Sequence, residues 1–116
     1  MPKTITAAVL TNETGAHLGA YFPALAASPE ATRVVLGDPS GQAVAGAKRG
    51  LGEKLAKVYR SHAELLAAEK PALALVSLES RSAPAVIRQA LKAGCHVFAE
   101  KPACVKAEDF SELVKL

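Results

Sequence analysis

The chain has 116 residues, of which 50% are hydrophobic and 22% charged, and its formal net charge is +3. This composition indicates one globular domain that can bury a core, and it excludes a disordered chain. The basic residues are scattered among acids without a basic block, which argues against nucleic-acid binding, and no apolar run approaches the ~20 residues that span a bilayer.

The amino-terminal residues and the cysteines bear on the compartment. An apolar run at 5–10 is broken at once by Asn12 and Glu13, so it is not a secretory signal. Cys95 and Cys104 do not have a metal-ligand spacing. We therefore expect a cytoplasmic chain with reduced thiols, no metal and no membrane segment.

Hydrophobic patterning divides the first half of the chain into alternating strands and helices. Nearly continuous apolar runs are typical of strands covered on both faces, and a spacing of three and four residues indicates a helix. We predict, in chain order, a strand at 4–10, a helix whose buried stripe is Leu18, Tyr21, Phe22 and Leu25, a strand at 32–37, and a turn and helix within 39–50, which Gly46 and Gly50 weaken.

The second half continues the alternation. Ser61 with Glu64 forms a capping box that starts a short helix, and Pro84 suits the first turn of the next one, which Gly94 ends. We predict a brief extended piece at 58–59, a helix at 62–69, a strand at 73–78, a helix with a buried stripe of Val86, Ile87, Ala90 and Leu91, a strand at 96–99, and a helix from 106 onward with Phe110, Leu113 and Val114 on one face.

Strands that alternate with helices of about ten residues imply βαβ units and a parallel sheet. The predicted fold is therefore α/β, a Rossmann-like three-layer αβα domain with a mostly parallel sheet, formed by residues 1–116 as a single domain. The last helical pattern ends without a cap, so we expect a truncated chain.

Candidate functional residues follow the strands. In an open parallel sheet, ligands bind beyond the carboxyl ends of the strands, where the strand order reverses. Residues 11–19, 77–82 and 100–102 converge there with Asp38. The candidate cofactor-binding residues in these segments are Thr11, Asn12, Gly15, Asp38, Ser77, Glu100, Lys101 and Pro102.

Asp38 stands at the carboxyl end of the second strand, about twenty residues beyond the first loop, where an acid can accept hydrogen bonds from the ribose hydroxyls of an adenosine. Such a carboxylate repels a 2′-phosphate, and no arginine follows it directly, so we expect NAD as the cofactor and disfavour NADP. In the alternative interpretation, Asp38 with Pro39, Ser40 and Gly41 only forms a turn or caps a helix.

The stretch ALKAGCHVFAEKPA at 90–103 carries a family resemblance. A helix ending in AG-x-HV, a short strand and then Glu-Lys-Pro resembles the nucleotide-binding domain of the glucose–fructose oxidoreductase/inositol dehydrogenase (Gfo/Idh/MocA) family. FPALAASPEATRVVLGDPS and YRSHAELLAAEKPALALVSL are similar to earlier segments of that domain. The resemblance implies a NAD(P)-dependent oxidoreductase that transfers hydride to or from a sugar, polyol or related alcohol.

The same resemblance implies roles for the Glu-Lys-Pro residues. Lys101 would be the catalytic residue, close to nicotinamide and substrate, where a partly desolvated ammonium can share a proton near neutral pH. Glu100 would hold that lysine and Pro102 would fix the bend of the chain. The alternative is a surface turn in which Lys101 is solvated.

The glycine loop departs from the G-x-G-x-x-G pattern. The best register keeps Gly15 as the middle glycine, which lets the backbone approach a pyrophosphate, and places Glu13 at the first position and Leu18 at the third. A carboxylate about 4 Å from a phosphate costs about 1 kcal/mol in water and about 4 kcal/mol at an effective dielectric of 20. Alternatively, Asn12, Glu13 or Thr14 caps the helix and leaves nothing for a ligand to satisfy.

Two further departures concern histidine and length. Leu78, Glu79 and Ala83 stand where the family usually has Thr-Pro and a histidine, and we interpret His17 and His96 as structural. Nothing corresponds to the family's substrate-binding domain, so we expect no turnover by the chain alone.

Three functions stay open at this point. One is the cofactor-binding domain of an oxidoreductase, and the second is a degenerate binding or assembly module without cofactor. The third, a flavodoxin-like receiver domain, has only part of the acidic cluster it needs. An exposed sheet edge favours association with a second copy of the chain.

Overall fold

The computed structural model describes residues 4–15 and 17–99. Within these residues, strands and helices alternate along the chain as predicted. In chain order they are β1 (Ile5–Thr11), α1 (Leu18–Ala27), β2 (Ala31–Gly37), α2 (Val44–Leu51), a 3₁₀ turn (Gly52–Lys54), β3 (Leu55–Tyr59), α3 (His62–Glu69), β4 (Leu73–Ser77), α4 (Ala83–Lys92) and β5 (His96–Ala99). The helix predicted from 106 lies outside the described residues.

The five strands form one sheet in the order β3-β2-β1-β4-β5, and every neighbouring pair is parallel. The chain builds outward from β1 to β3 and then crosses back, so that β4 pairs with the other side of β1. The carboxyl end of β1 is consequently the point at which the strand order reverses. The predicted α/β Rossmann-like fold with a parallel sheet is confirmed.

One predicted element was too short. The extended piece expected at 58–59 is the full edge strand β3, which pairs with β2 from Val34 to Gly37. Lys57 interrupts its apolar pattern, and both Ala56 and Lys57 are exposed, because an edge strand buries less of its surface than a central one.

Side chains of β1 alternate between two apolar layers. Ala7 and Val9 face α1 and α2, whereas Ala8 and Leu10 face α3 and α4. Burial of β1 on both faces explains why its sequence reads as a continuous apolar run. Its last residue is Thr11, one residue beyond the predicted end.

Helices α1 and α2 approach closely at Gly50. A methyl group placed on Gly50 would lie 2.5 Å from Cβ of Phe22, which is 2% exposed, whereas one placed on Gly46 would meet its nearest atoms only at 3.9 Å. Gly50→Ala is therefore expected to destabilise the domain by about 1–3 kcal/mol through overpacking. Gly46→Ala is expected to stabilise it by up to about 1 kcal/mol through helix propensity. Urea unfolding of both variants checks this, and a loss of similar size in the two would contradict the close approach at Gly50.

The edge strand β3 is tied to α3 and β2 by one carboxylate. Glu69 accepts a hydrogen bond from the Tyr59 hydroxyl at 2.6 Å and pairs with the Arg33 guanidinium at 3.0 Å. The hydrogen bond from Tyr59 is the main cause that lowers the pKa of Glu69, and the same bond raises the pKa of Tyr59. The ammonium of Lys57 lies over the face of the Tyr59 ring, 4.9 Å from the ring centre.

The start of α3 has the predicted cap, since the Ser61 hydroxyl oxygen accepts a hydrogen bond from the backbone N–H of Glu64 at 3.2 Å. Cys95 is a free, buried thiol whose pKa is raised by burial, and Cys104 lies outside the described residues. In ranges 4–15 and 17–99, no helix is long and apolar enough to cross a membrane. No group of three His, Cys, Asp or Glu side chains in those ranges is placed to hold a metal ion.

Candidate functional site

A small cavity of about 180 Å³ lies at the carboxyl edge of the sheet, between the β1–α1 loop and the β2–α2 turn. This is the side of β1 on which ligands bind in open parallel sheets. The cavity is lined by Asn12, Glu13, Gly15, Leu18, Gln42 and Ala43. Asn12 and Gly15, both predicted from the sequence, are thus brought together, and Glu13 lies beside them.

Thr11 and Ser77 form the floor beneath this loop. Both are fully buried, and the Thr11 hydroxyl donates to the Ser77 carbonyl oxygen at 2.7 Å. This bond joins the last residue of β1 to the last residue of β4, at the point where both strands end. The two predicted residues are therefore adjacent, and the Thr11 hydroxyl is used in the hydrogen bond that links the two strands.

Gly15 packs directly on this floor. A methyl group placed on it would overlap the Thr11 hydroxyl oxygen and lie 3.1 Å from the Ser77 carbonyl oxygen. Its backbone N–H donates to the Asn12 carbonyl oxygen at 3.1 Å, which closes a tight turn. A glycine is required here because the loop approaches the strand ends so closely.

Asn12 and Thr14 hold the loop in shape. The Asn12 side-chain oxygen accepts hydrogen bonds from the backbone N–H of Thr14, at 2.7 Å, and from the Thr14 hydroxyl. The Thr14 hydroxyl oxygen in turn accepts from the backbone N–H of Glu79 at 3.0 Å, which connects the loop to the segment after β4. The side chain of Glu79, which the sequence placed at this crevice, is exposed.

Among the described residues, none supplies a side-chain cap to the start of helix α1. Its N-cap is His17, which has φ 60° and makes no capping side-chain bond, and its first turn contains no acidic residue. The alternative in which Asn12, Glu13 or Thr14 caps this helix is therefore wrong. The N-terminal end of a helix carries positive potential and unpaired N–H donors, so this end suits an anion.

Asp38 is fully buried at the end of β2, and its carboxylate bonds to its own turn. Oδ1 accepts from the Ser40 N–H at 2.9 Å and from the Ser40 hydroxyl at 2.6 Å, and Oδ2 accepts from the Ala43 N–H at 2.8 Å. Burial raises the pKa of Asp38, but these hydrogen bonds outweigh it and the net pKa is lowered. The described contacts are those of the turn-and-cap alternative, and binding of a ribose by Asp38 stays a prediction.

Sequence reasoning missed His62 at this edge. Its Nε2 lies 2.8 Å from the Thr11 carbonyl oxygen, and its ring packs against Gly37 at the end of β2. The available signal was its place at the start of a helix that follows a strand, since such helices begin at the carboxyl edge of a parallel sheet. His96 is at the amino end of β5, the opposite edge, so its structural interpretation fits its position.

The Glu-Lys-Pro residues Glu100, Lys101 and Pro102 lie outside the described residues. Ala99, which precedes them, pairs with Val76 near the carboxyl end of β4. Phe98, the residue before Ala99, contacts α1, where the rings of His17, Tyr21 and Phe98 form a row of edge-to-face contacts with centroid separations of 6.5 and 6.1 Å.

A parallel sheet in this order, with a glycine-bearing loop and an uncapped helix over the reversal point, defines a nucleotide-binding domain of Rossmann type. The chain belongs to the Gfo/Idh/MocA family, described as an oxidoreductase family with a NAD-binding Rossmann fold, whose sequence pattern matches residues 14–116. The resemblance found in the sequence is thereby confirmed. A comparison with curated proteins gave no match.

Solved structures agree on the fold. The chain is similar to myo-inositol dehydrogenase from Lactobacillus casei in complex with NAD(H) and myo-inositol (TM-score 0.81, 23% identity, 97% of this chain and 32% of that one). It is also similar to apo scyllo-inositol dehydrogenase from the same organism (TM-score 0.79, 22% identity, 99% and 33%). A third similar structure is UDP-N-acetylglucosamine 3-dehydrogenase from Acidithiobacillus ferrooxidans (TM-score 0.72, 24% identity, 97% and 33%). The chain thus spans about a third of the length of these proteins.

Proposed function

We propose that this chain is the cofactor-binding domain of an oxidoreductase that moves hydride between a nicotinamide dinucleotide and the carbon of a sugar, polyol or related alcohol. The family supports the reaction class, and relatives that act on inositols and on a nucleotide sugar support the substrate class. The observation that carries the proposal is the uncapped start of α1 beside a cavity at the reversal point of the strand order.

The pyrophosphate of the cofactor fits the start of α1, where the loop from Asn12 to Gly15 lies against the strand ends. Gly15 keeps the backbone low enough for a ligand to lie over the ends of β1 and β4. The adenosine half then extends toward the β2–α2 turn at Asp38, and the nicotinamide half toward the end of β5.

The bound cofactor supplies a hydride acceptor for the alcohol carbon. Lys101 is the catalytic residue of this proposal: its neutral amine would take up the proton of the reacting hydroxyl as the hydride leaves. Glu100 orients the lysine and Pro102 fixes the chain direction after β5. The substrate is held by a further domain of the whole protein, so the chain by itself is expected to show no turnover.

A degenerate module without cofactor is the second candidate. Two observations favour it: Glu13 places a carboxylate at the cavity, and the Asp38 carboxylate is engaged within its own turn. Association with a second copy of the chain stays a prediction under either function.

Binding of NAD separates the two candidates. Calorimetric titration and thermal unfolding are measured with NAD, and a ligand at a hundred times its Kd should stabilise the domain by ~2.7 kcal/mol. The absence of both binding heat and a shift in Tm at millimolar NAD or NADP would establish the degenerate module.

Glu13→Gln is expected to tighten binding of NAD about fivefold, because it removes about 1 kcal/mol of repulsion between an exposed carboxylate and the pyrophosphate. Glu53→Gln, at an exposed acid in the 3₁₀ turn, is the matched control and should leave the Kd unchanged. Equal affinities for the parent chain and Glu13→Gln would refute the charge argument.

A further inference from the structure

The guanidinium of Arg60 lies on the β2–α2 turn. Arg60 follows the last residue of β3, whose carbonyl oxygen accepts a hydrogen bond from the Asp38 backbone N–H at 2.9 Å. A methyl group placed on Gly41, which has φ +76°, would lie 2.9 Å from Nη1, 3.2 Å from Cζ and 3.4 Å from Nη2 of Arg60. All three atoms are close, so the planar group lies against the glycine in the middle of the turn.

This guanidinium is available to a ligand. Arg60 is exposed, and among residues 4–15 and 17–99 its side chain makes no hydrogen bond or ion pair. Arg33 is different, because its guanidinium is paired with Glu69 through both carboxylate oxygens. Arg60 therefore keeps its five N–H donors and its positive charge at the surface of the turn.

The acid of the same turn is covered. Asp38 is fully buried, and its two oxygens accept three hydrogen bonds from Ser40 and Ala43. The hydroxyl of Ser40 is used as a donor in one of them. At the surface of the β2–α2 turn, the exposed charge is thus the guanidinium of Arg60, and the carboxylate of Asp38 is covered.

An acid presented at this turn selects a ribose with free hydroxyls, whereas an arginine accommodates a 2′-phosphate. We infer that Arg60 is a specificity-determining residue that binds the 2′-phosphate of NADP(H), so that NADP binds at least as tightly as NAD. The inference rests on the proposed function and reverses the preference for NAD that Asp38 suggested in the sequence. The planar fork of a guanidinium matches phosphate oxygens in pairs.

Titrations with both dinucleotides test the inference on the parent chain, on Arg60→Gln and on a control, Arg88→Gln. Arg88 lies in α4, which packs on the face of the sheet opposite α1 and α2. Arg60→Gln is expected to weaken NADP about tenfold and NAD less than twofold, since it removes a charge-assisted pair made only to the 2′-phosphate. Arg88→Gln is expected to change neither Kd by more than about twofold.

Adenosine 2′,5′-bisphosphate and AMP are titrated alongside, since both carry the same 5′-phosphate and differ only in the 2′-phosphate, so that any effect of Glu13 is common to the two. The bisphosphate is expected to bind more tightly, and its affinity should fall more steeply with salt. Tighter binding of NAD than of NADP, or an equal loss of both in Arg60→Gln, overturns the inference and leaves the proposed function intact. Failure of all four nucleotides to bind overturns both.

Discussion

Replacement of Gly15 by alanine is expected to destabilise the domain by about 1–3 kcal/mol and to abolish binding of the dinucleotide. The added methyl group overlaps the Thr11 hydroxyl oxygen and presses on the Ser77 carbonyl oxygen. Thr11 cannot turn aside without losing its hydrogen bond to the Ser77 carbonyl oxygen. Urea unfolding measures the stability, and calorimetric titration with NAD and NADP measures the binding.

Gly19→Ala is the matched control for Gly15→Ala. Gly19 is the second residue of α1, and a methyl group placed on it would meet nothing within 4 Å. The unfolding free energy of Gly19→Ala is expected to stay the same or rise by up to about 1 kcal/mol. The double variant Thr11→Ala with Gly15→Ala should recover part of the loss, because the overlapping oxygen is gone. Equal effects of the two single alanines would show that Gly15 is not held by close approach.

Replacement of Asp38 by alanine is expected to cost about 3 kcal/mol of unfolding free energy. It leaves the partly buried N–H donors of Ser40 and Ala43 without their acceptor and frees the start of α2. Glu53→Ala, at an exposed acid, is expected to change stability by less than about 0.5 kcal/mol. A loss for Asp38→Ala no larger than that of the control would mean that its hydrogen bonds do not hold the turn.

The effect of Asp38→Ala should also depend on pH. The pKa of Asp38 is lowered in the folded chain, so its contribution is present above the unfolded pKa of about 3.9 and is lost as the pH falls through the folded pKa. The difference in stability between the parent chain and Asp38→Ala is therefore expected to be constant near pH 7 and to shrink below about pH 4. A difference that widens toward acid would contradict the lowered pKa.

The sequence was sufficient for the order of the elements because each buried strand and helix carries its own periodicity. Apolar runs predicted the strands of the sheet interior, and the spacing of residues such as Phe22 and Leu25 predicted α1. The pattern weakened at β3, since an edge strand with Lys57 on its surface buries too little to show a continuous run. The register between strands, which sets Thr11 beside Ser77, depends on backbone pairing that the apolar pattern does not reveal.

The site was predicted only in part, because sequence shows which strand ends meet but not where a side chain points. Thr11, Asn12, Gly15 and Ser77 lie together as expected. The inward turn of the Asp38 carboxylate depends on hydrogen bonds from Ser40 and Ala43, which no spacing rule reveals. The positions of His62 and Arg60 depend on the β2–β3 pairing, so neither could be placed before that strand was known.

The two borders of the sheet are chemically unlike. The edge strand β3 carries the ammonium of Lys57 over the ring of Tyr59. A charged edge strand resists pairing with another strand. At the other border, β5 presents Phe98, which is 54% exposed and is the one exposed large apolar side chain of the described residues. The charge that opposes pairing with a further strand is consequently present at one border of the sheet, β3, and absent from the described residues of the other, β5.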